Sequence, residues 1–86
     1  MMTIQELEDK VWVQDNIRIV VRAAVNTQIG DYNYERAAQD NWRVTEFINK
    51  RLYNILNSLE VVVIMGNGEQ AHGANLLRSV RSSYKI

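Results

Sequence analysis

The chain contains no cysteine and no proline, a single histidine and four glycines in 86 residues. Without cysteine there is no disulfide framework, no thiolate metal cluster and no cysteine nucleophile. With His72 alone to offer imidazole, a histidine-built zinc site is not expected. No apolar run reaches the roughly 18 residues of a membrane span, and the first residues carry no signal-peptide pattern. These absences lead us to expect a soluble cytoplasmic protein with no cofactor, metal or membrane partner. An excess charge of one sign is missing too, since ten basic residues balance ten acidic ones. A neutral chain lacks the broad electropositive surface on which a nucleic-acid polymer binds.

What charge there is lies unevenly. Residues 1–15 hold Glu6, Glu8, Asp9 and Asp15 against Lys10, whereas 70–86 hold Arg78, Arg81 and Lys85 and no acid. Arginine outnumbers lysine seven to three, and nine residues are asparagine. Both choices favour directional hydrogen bonds over diffuse charge, because guanidinium is a planar donor fork and Asn both donates and accepts. This composition suits a small polar anion.

At this length the chain is one domain, 1–86, with a core small enough that a homo-oligomer is expected. Thr3 and Glu6 have the capping-box spacing, and Ile4, Leu7 and Val11 follow at helical spacing, so a short helix is predicted over 3–11, with an extra edge strand at Val11 to Val13. Residues 17–25 then alternate, with Ile17, Ile19, Val21, Ala23 and Val25 on one face and Arg18, Val20 and Arg22 on the other. Asp31 to Ala38 alternates again after a loop ending in Gly30, which predicts a hairpin between the two runs. Val44, Phe47, Ile48, Leu52, Ile55 and Leu56 make a helix of 44–57, capped by Asn41 or Thr45, and Leu59 to Met65 reads as a central buried strand. Leu76, Leu77, Val80 and Tyr84 return to helical spacing over 75–84, with Asn75 as the cap. The fold class is α+β: a small antiparallel sheet with two or three helices packed on it.

Several constellations could hold an anion. Gly66-Asn67-Gly68 follows a strand and precedes a helix, the setting in which free backbone N–H groups cradle phosphate, although neither the P-loop ending nor the dinucleotide glycine spacing is present. An ordinary turn is an equally good reading of those glycines. Arg18 and Arg22 share a strand face, with solvent or a pairing to Asp15, Asp31 or Glu35 as the bland alternative. Arg51 falls inside the apolar stripe of its helix and needs a partner, either Glu60, a neighbouring subunit or a ligand phosphate. Arg78 and Arg81 lie one turn apart on the last helix and read as a phosphate clamp or as a solvated face. Tyr32, Tyr34, Trp12, Trp42 and Phe47 are candidates for stacking on a base, Tyr32 and Tyr34 beside Arg36 first among them. Signals for catalysis are thin: no carboxylate stands at dyad spacing from His72, and Ser79, Ser82 and Ser83 lack an elbow motif.

The run from Lys10 through Trp12, Arg18 and Arg22 to Ala23, the Tyr32-x-Tyr34-x-Arg36 pattern, and the ending His72-Gly73 through Leu77-Arg78-Ser-Val-Arg81-Ser-Ser-Tyr84 together resemble the phage anti-Thoeris sponge proteins. Those proteins sequester cyclic ADP-ribose signals made by bacterial TIR-domain immune enzymes. The resemblance implies a non-enzymatic homo-oligomer that holds cyclic ADP-ribose isomers, and other cyclic nucleotides, in pockets built from more than one subunit. It implies ligand contacts from arginines, an asparagine and an aromatic. Arg22, Arg51, Asn67 and Arg78 or Arg81 are the positions that could supply the first two. With Gly66, Gly68 and His72 of the glycine segment, and Tyr32, they form the expected ligand set. The expected function is non-catalytic sequestration of a small cyclic nucleotide. The alternative is a small protein–protein inhibitor or assembly adaptor whose acidic first segment and basic last helix dock subunits head to tail. A nucleotide-processing enzyme centred on His72 is the third and weakest reading.

Overall fold

The computed structural model describes residues 2–23, 27–56 and 59–84. Thr3 starts the first helix as expected. Its hydroxyl accepts from the Glu6 N–H at 3.2 Å, and the Glu6 carboxylate accepts from the Thr3 N–H at 3.1 Å. This helix, α1 (Ile4–Asp15), runs past the expected end at residue 11 and takes up Val11, Trp12 and Val13, so no edge strand forms there. Leu7, Val11 and Asp15 recur four apart on its buried side, and Asn16, left-handed at φ 57°, closes it with an N–H to the Trp12 carbonyl.

Two small antiparallel sheets accompany the helices, and the α+β class holds. In one, β1 (Met2–Thr3) pairs with β3 (Gln28–Ile29). In the other, β2 (Arg18–Arg22) pairs with β4 (Glu60–Ile64), Arg18 opposite Ile64 and Arg22 opposite Glu60. Ile19 and Val21 face the core while Arg18, Val20 and Arg22 face outward, as the alternation predicts, but the strand stops at Arg22, short of residue 25, and Ala23, expected on the core face, is exposed. The predicted hairpin of 17–25 with 31–38 does not form. Residues 24–26 lie outside the described residues; 31–38 contain no strand, and Tyr32 and Ala38 are their only buried side chains. The apolar β4 offers β2 a better partner than a segment carrying Asp31, Asn33, Glu35 and Arg36.

The central helix is a composite rod: α2 (Val44–Phe47), a π-helical turn (Ile48–Leu52) and α3 (Tyr53–Leu56), with residue 57 outside the described set. Neither Asn41 nor Thr45 caps it. Arg43 is the N-cap, and its N–H donates to the Glu46 carboxylate at 3.1 Å. The π turn carries Arg51 and Leu52 inward together. At the other end of the chain α4 (Leu77–Ser83) starts from Leu76, not from Asn75, whose carbonyl instead accepts from the Val44 N–H at 2.8 Å. Residues 73–77 thereby run beside 42–45, with further bonds from Thr45 to Gly73 and from Leu77 to Trp42. The core between rod, sheet and terminal helices holds Leu7, Val11, Ile17, Ile19, Tyr32, Phe47, Leu52, Leu56, Val63, Leu77 and Val80. No helix among the described residues is long and apolar enough to cross a membrane.

Candidate functional site

The expected ligand residues separate into two groups. Arg51, Tyr32 and Arg81 converge on Asp15, a fully buried carboxylate. Arg51 donates to Asp15 Oδ1 at 2.9 Å, the Ala38 N–H donates to the same oxygen at 2.7 Å, and the Tyr32 hydroxyl donates to Oδ2. Arg81 completes the cluster through its Nε on the Asp15 carbonyl at 2.9 Å, one terminal nitrogen on the Ala38 carbonyl at 2.6 Å and the other on Asp40. The guanidinium of Arg51 also stacks on Tyr34, at 4.3 Å from the ring centroid, and on Trp42 at 5.3 Å. The partner that the apolar stripe demanded is thus Asp15, and neither Glu60 nor a second subunit supplies it. Burial, with the hydrogen bond to Asp15 next, holds the Tyr32 hydroxyl well above its ordinary titration range.

The glycine turn has a structural task. The Met65 N–H donates to the Glu69 carbonyl and the Ala71 N–H to the Val63 carbonyl around Gly66-Asn67-Gly68, which makes a tight reversal in which Gly68 takes φ 88°. Asn67 folds its side-chain oxygen onto the Glu69 N–H at 3.0 Å, and Gly66 donates to the Ser83 hydroxyl at 2.8 Å. A Cβ on Gly66 would lie 1.7 Å from the Ser83 carbonyl oxygen, so this glycine is required by close approach to the end of α4. The turn does not run into a helix N-terminus, because α4 begins at Leu77. His72 and Arg78 are exposed, and Arg22 lies at the far end of β2 in a loose surface pair with Glu60 at 4.0 Å.

A different arrangement borders the turn. Trp12, Arg18, Ile64, Met65, Gly66, Gly68 and Tyr84 line a groove of about 380 Å³. A second groove of about 340 Å³ continues along α1 past Gln5, Glu8 and Asp9 and shares Trp12 and Arg18 with the first. The Arg18 guanidinium stands 5.3 Å from the Trp12 ring centroid, and Tyr84 meets Trp12 edge-on at 5.3 Å. The Tyr84 hydroxyl fixes the corner by accepting from the Arg18 N–H at 2.9 Å and donating to the Ile64 carbonyl. Burial raises its pKa from the ordinary value. Arg18 makes no ion pair among the described residues, unlike Arg22, Arg51 and Arg81.

Trp12 and Arg18 are not joined by any pattern in the sequence, because a helix ending at residue 11 leaves Trp12 outside it. Asp15 was legible only in retrospect: it continues the Leu7, Val11 stripe by one turn, and a carboxylate there is the natural partner for an arginine in a second apolar stripe. No family model, curated protein or solved structure matches this chain.

Proposed function

We propose that this chain binds a small nucleotide-like anion without transforming it, at the groove between Trp12 and the Gly66–Gly68 turn. The observation that carries the reading is the Arg18 guanidinium, unpaired by any acid among the described residues, over the face of a part-exposed tryptophan at the mouth of a groove of about 380 Å³. That volume falls in the range of small-molecule sites, about 300 to 1,000 Å³. Trp12 offers a π-face to a base, and Arg18 offers a donor fork to phosphate. The other arginines of the expected set are engaged by Asp15, Asp40 and Glu60 or stand exposed away from the groove. His72 does not line either groove.

A cyclic ADP-ribose isomer, the ligand implied by the resemblance to anti-Thoeris sponges, combines both chemistries in one molecule. A protein that encloses such a signal intact lowers its free concentration by mass action, so affinity and abundance set the effect. Calorimetry and thermal shift against cyclic and linear ADP-ribose compounds test the reading. Binding with the ligand recovered intact on denaturation supports it; absence of heat and of thermal shift across the panel overturns it.

A further inference from the structure

The sheet of β2 and β4 leaves a short row of backbone groups unmet. On the far side of β4 the Ala71 N–H donates to the Val63 carbonyl, so Val63 turns its backbone away from β2, and its register partner Ile19 turns its own away from β4. The Val21 N–H, two residues on, points the same way and donates to the Glu8 carboxylate at 3.2 Å. The Ile19 N–H and C=O meet no hydrogen-bond partner among the described residues. Ile19 is only 3% exposed and its side chain lies in the core, so what it gives the groove of about 340 Å³ beside α1 is backbone. Unmet backbone groups at a buried residue are costly, and the groove beside them has room for the missing partner.

Three groups follow one another along this side of β2. The Ile19 N–H is a donor and the Ile19 C=O an acceptor. Glu8 stands next, one carboxylate oxygen held by the Val21 N–H and the other left as a second acceptor. Trp12, one turn beyond Glu8 on the same face of α1, lines the groove with its ring, and Arg18 stands over that ring beside the start of the row. The complement of donor, acceptor, acceptor is acceptor, donor, donor. Guanine presents that order on its Watson–Crick edge as O6, N1–H and the N2 amino group. Adenine matches Ile19 through N1 and its amino group, but its next polar atom is N7, an acceptor that a carboxylate repels. The pyrimidines present a single donor group on that edge. Charge runs the same way as the hydrogen bonds, with the Arg18 guanidinium at the O6 end and the acids Glu8 and Asp9 on the wall toward the donors.

We propose that the groove between α1 and β2 is a guanine subsite: the Ile19 N–H donates to O6, N1–H donates to the Ile19 carbonyl and the N2 amino group donates to Glu8. The base lies against Trp12, and the phosphate meets Arg18 on the side of the Gly66–Gly68 turn. This rests on the reading of Trp12 and Arg18 as a nucleotide site and names the base which that site prefers.

Calorimetry of the full chain with the 5′-monophosphates of guanosine, inosine, adenosine and xanthosine tests it. Inosine lacks only the N2 amino group, so guanosine monophosphate is expected to bind about tenfold more tightly than inosine monophosphate, with adenosine monophosphate weaker again. Glu8→Gln keeps an oxygen for the Val21 N–H and turns the second acceptor into an NH2 donor. The row then reads donor, acceptor, donor, which is the complement of xanthine, and the variant is expected to bind xanthosine monophosphate in preference to guanosine monophosphate. A merely structural Glu8 would weaken all four ligands together. In the wild type, the Ile19 amide is expected to gain protection from hydrogen exchange when guanosine monophosphate binds, a readout that needs no variant should Glu8→Gln not fold. Equal binding of the guanine, hypoxanthine and adenine nucleotides, an unprotected Ile19 amide, or a folded Glu8→Gln that still prefers guanine would each overturn the base assignment while leaving the groove reading in place. If no nucleotide binds at all, the groove reading fails with it.

Discussion

Arg51 and Asp15, separated by 36 positions in the chain, meet at 2.9 Å inside the core, with Asp15 fully buried and Arg51 nearly so. The pair ties α1 to the central rod. Through the Ala38 N–H and the Tyr32 hydroxyl it also fixes a segment that has no ladder of its own. A π turn at Ile48–Leu52 is what brings Arg51 inward beside Leu52. Removing one partner strands the other charge without solvent. Arg51→Met is therefore expected to cost about 3 to 5 kcal/mol, a large share of a small domain's stability. The double change Asp15→Leu with Arg51→Met is expected to cost less than the sum of the single changes, and urea unfolding followed by circular dichroism checks both.

The tyrosines give the fold a sensitivity to base. Tyr32 is held protonated in the folded state, chiefly by burial, and Tyr84 is shifted the same way by burial, whereas an unfolded tyrosine titrates near about 10. The folded state then binds more protons than the unfolded one above that pH, so stability falls as pH rises further. The urea midpoint is expected to decline more steeply in the wild type than in Tyr32→Phe as pH rises from about 9 to 11. At pH 8 the Phe variant starts lower, because it leaves an Asp15 oxygen without its donor. Equal slopes for the two proteins would contradict this account.

The glycines of the turn differ in kind. Gly68 needs only its positive φ and looks into open space, so Gly68→Ala is expected to cost about 1 kcal/mol. Gly66 abuts the backbone of Ser83, which cannot yield as a flexible side chain would, so Gly66→Ala is expected to cost distinctly more. Chemical unfolding of the two variants measures the order, and a larger loss in Gly68→Ala would contradict it.

Local patterns of neighbouring residues carry the elements they span. The Thr3 and Glu6 capping box and the alternation of Arg18 to Arg22 appear as expected, whereas the apolar run expected as a buried strand over Leu59 to Met65 forms only as Glu60–Ile64, with Val62 and Val63 buried and Glu60 exposed. What failed was long-range. The partner of β2 lies some forty residues away in β4 and not in the nearby alternating segment, because that segment's tyrosine and backbone are claimed by a buried carboxylate. The expected site had the same weakness. Arg51, set in an apolar stripe, needs a partner on sequence grounds alone. Single-residue patterns do not show that Asp15 reaches it, nor that each of the three guanidinium nitrogens of Arg81 is engaged, by Asp15, Ala38 and Asp40. Trp12 and Arg18 become neighbours only because α1 extends a full turn past Val11 and Asn16 turns the chain back.

The central claim is that ligand recognition belongs to Arg18 over Trp12, while Arg51 and Arg81 hold the fold together. Calorimetric titration of a cyclic ADP-ribose isomer into the wild type, Arg18→Gln and Arg78→Gln, each with its thermal unfolding recorded, tests it most directly. Binding is predicted to be lost in Arg18→Gln and unchanged in Arg78→Gln, with unfolding temperatures close to wild type for both. Undiminished binding in Arg18→Gln, or its loss in Arg78→Gln, would contradict the account.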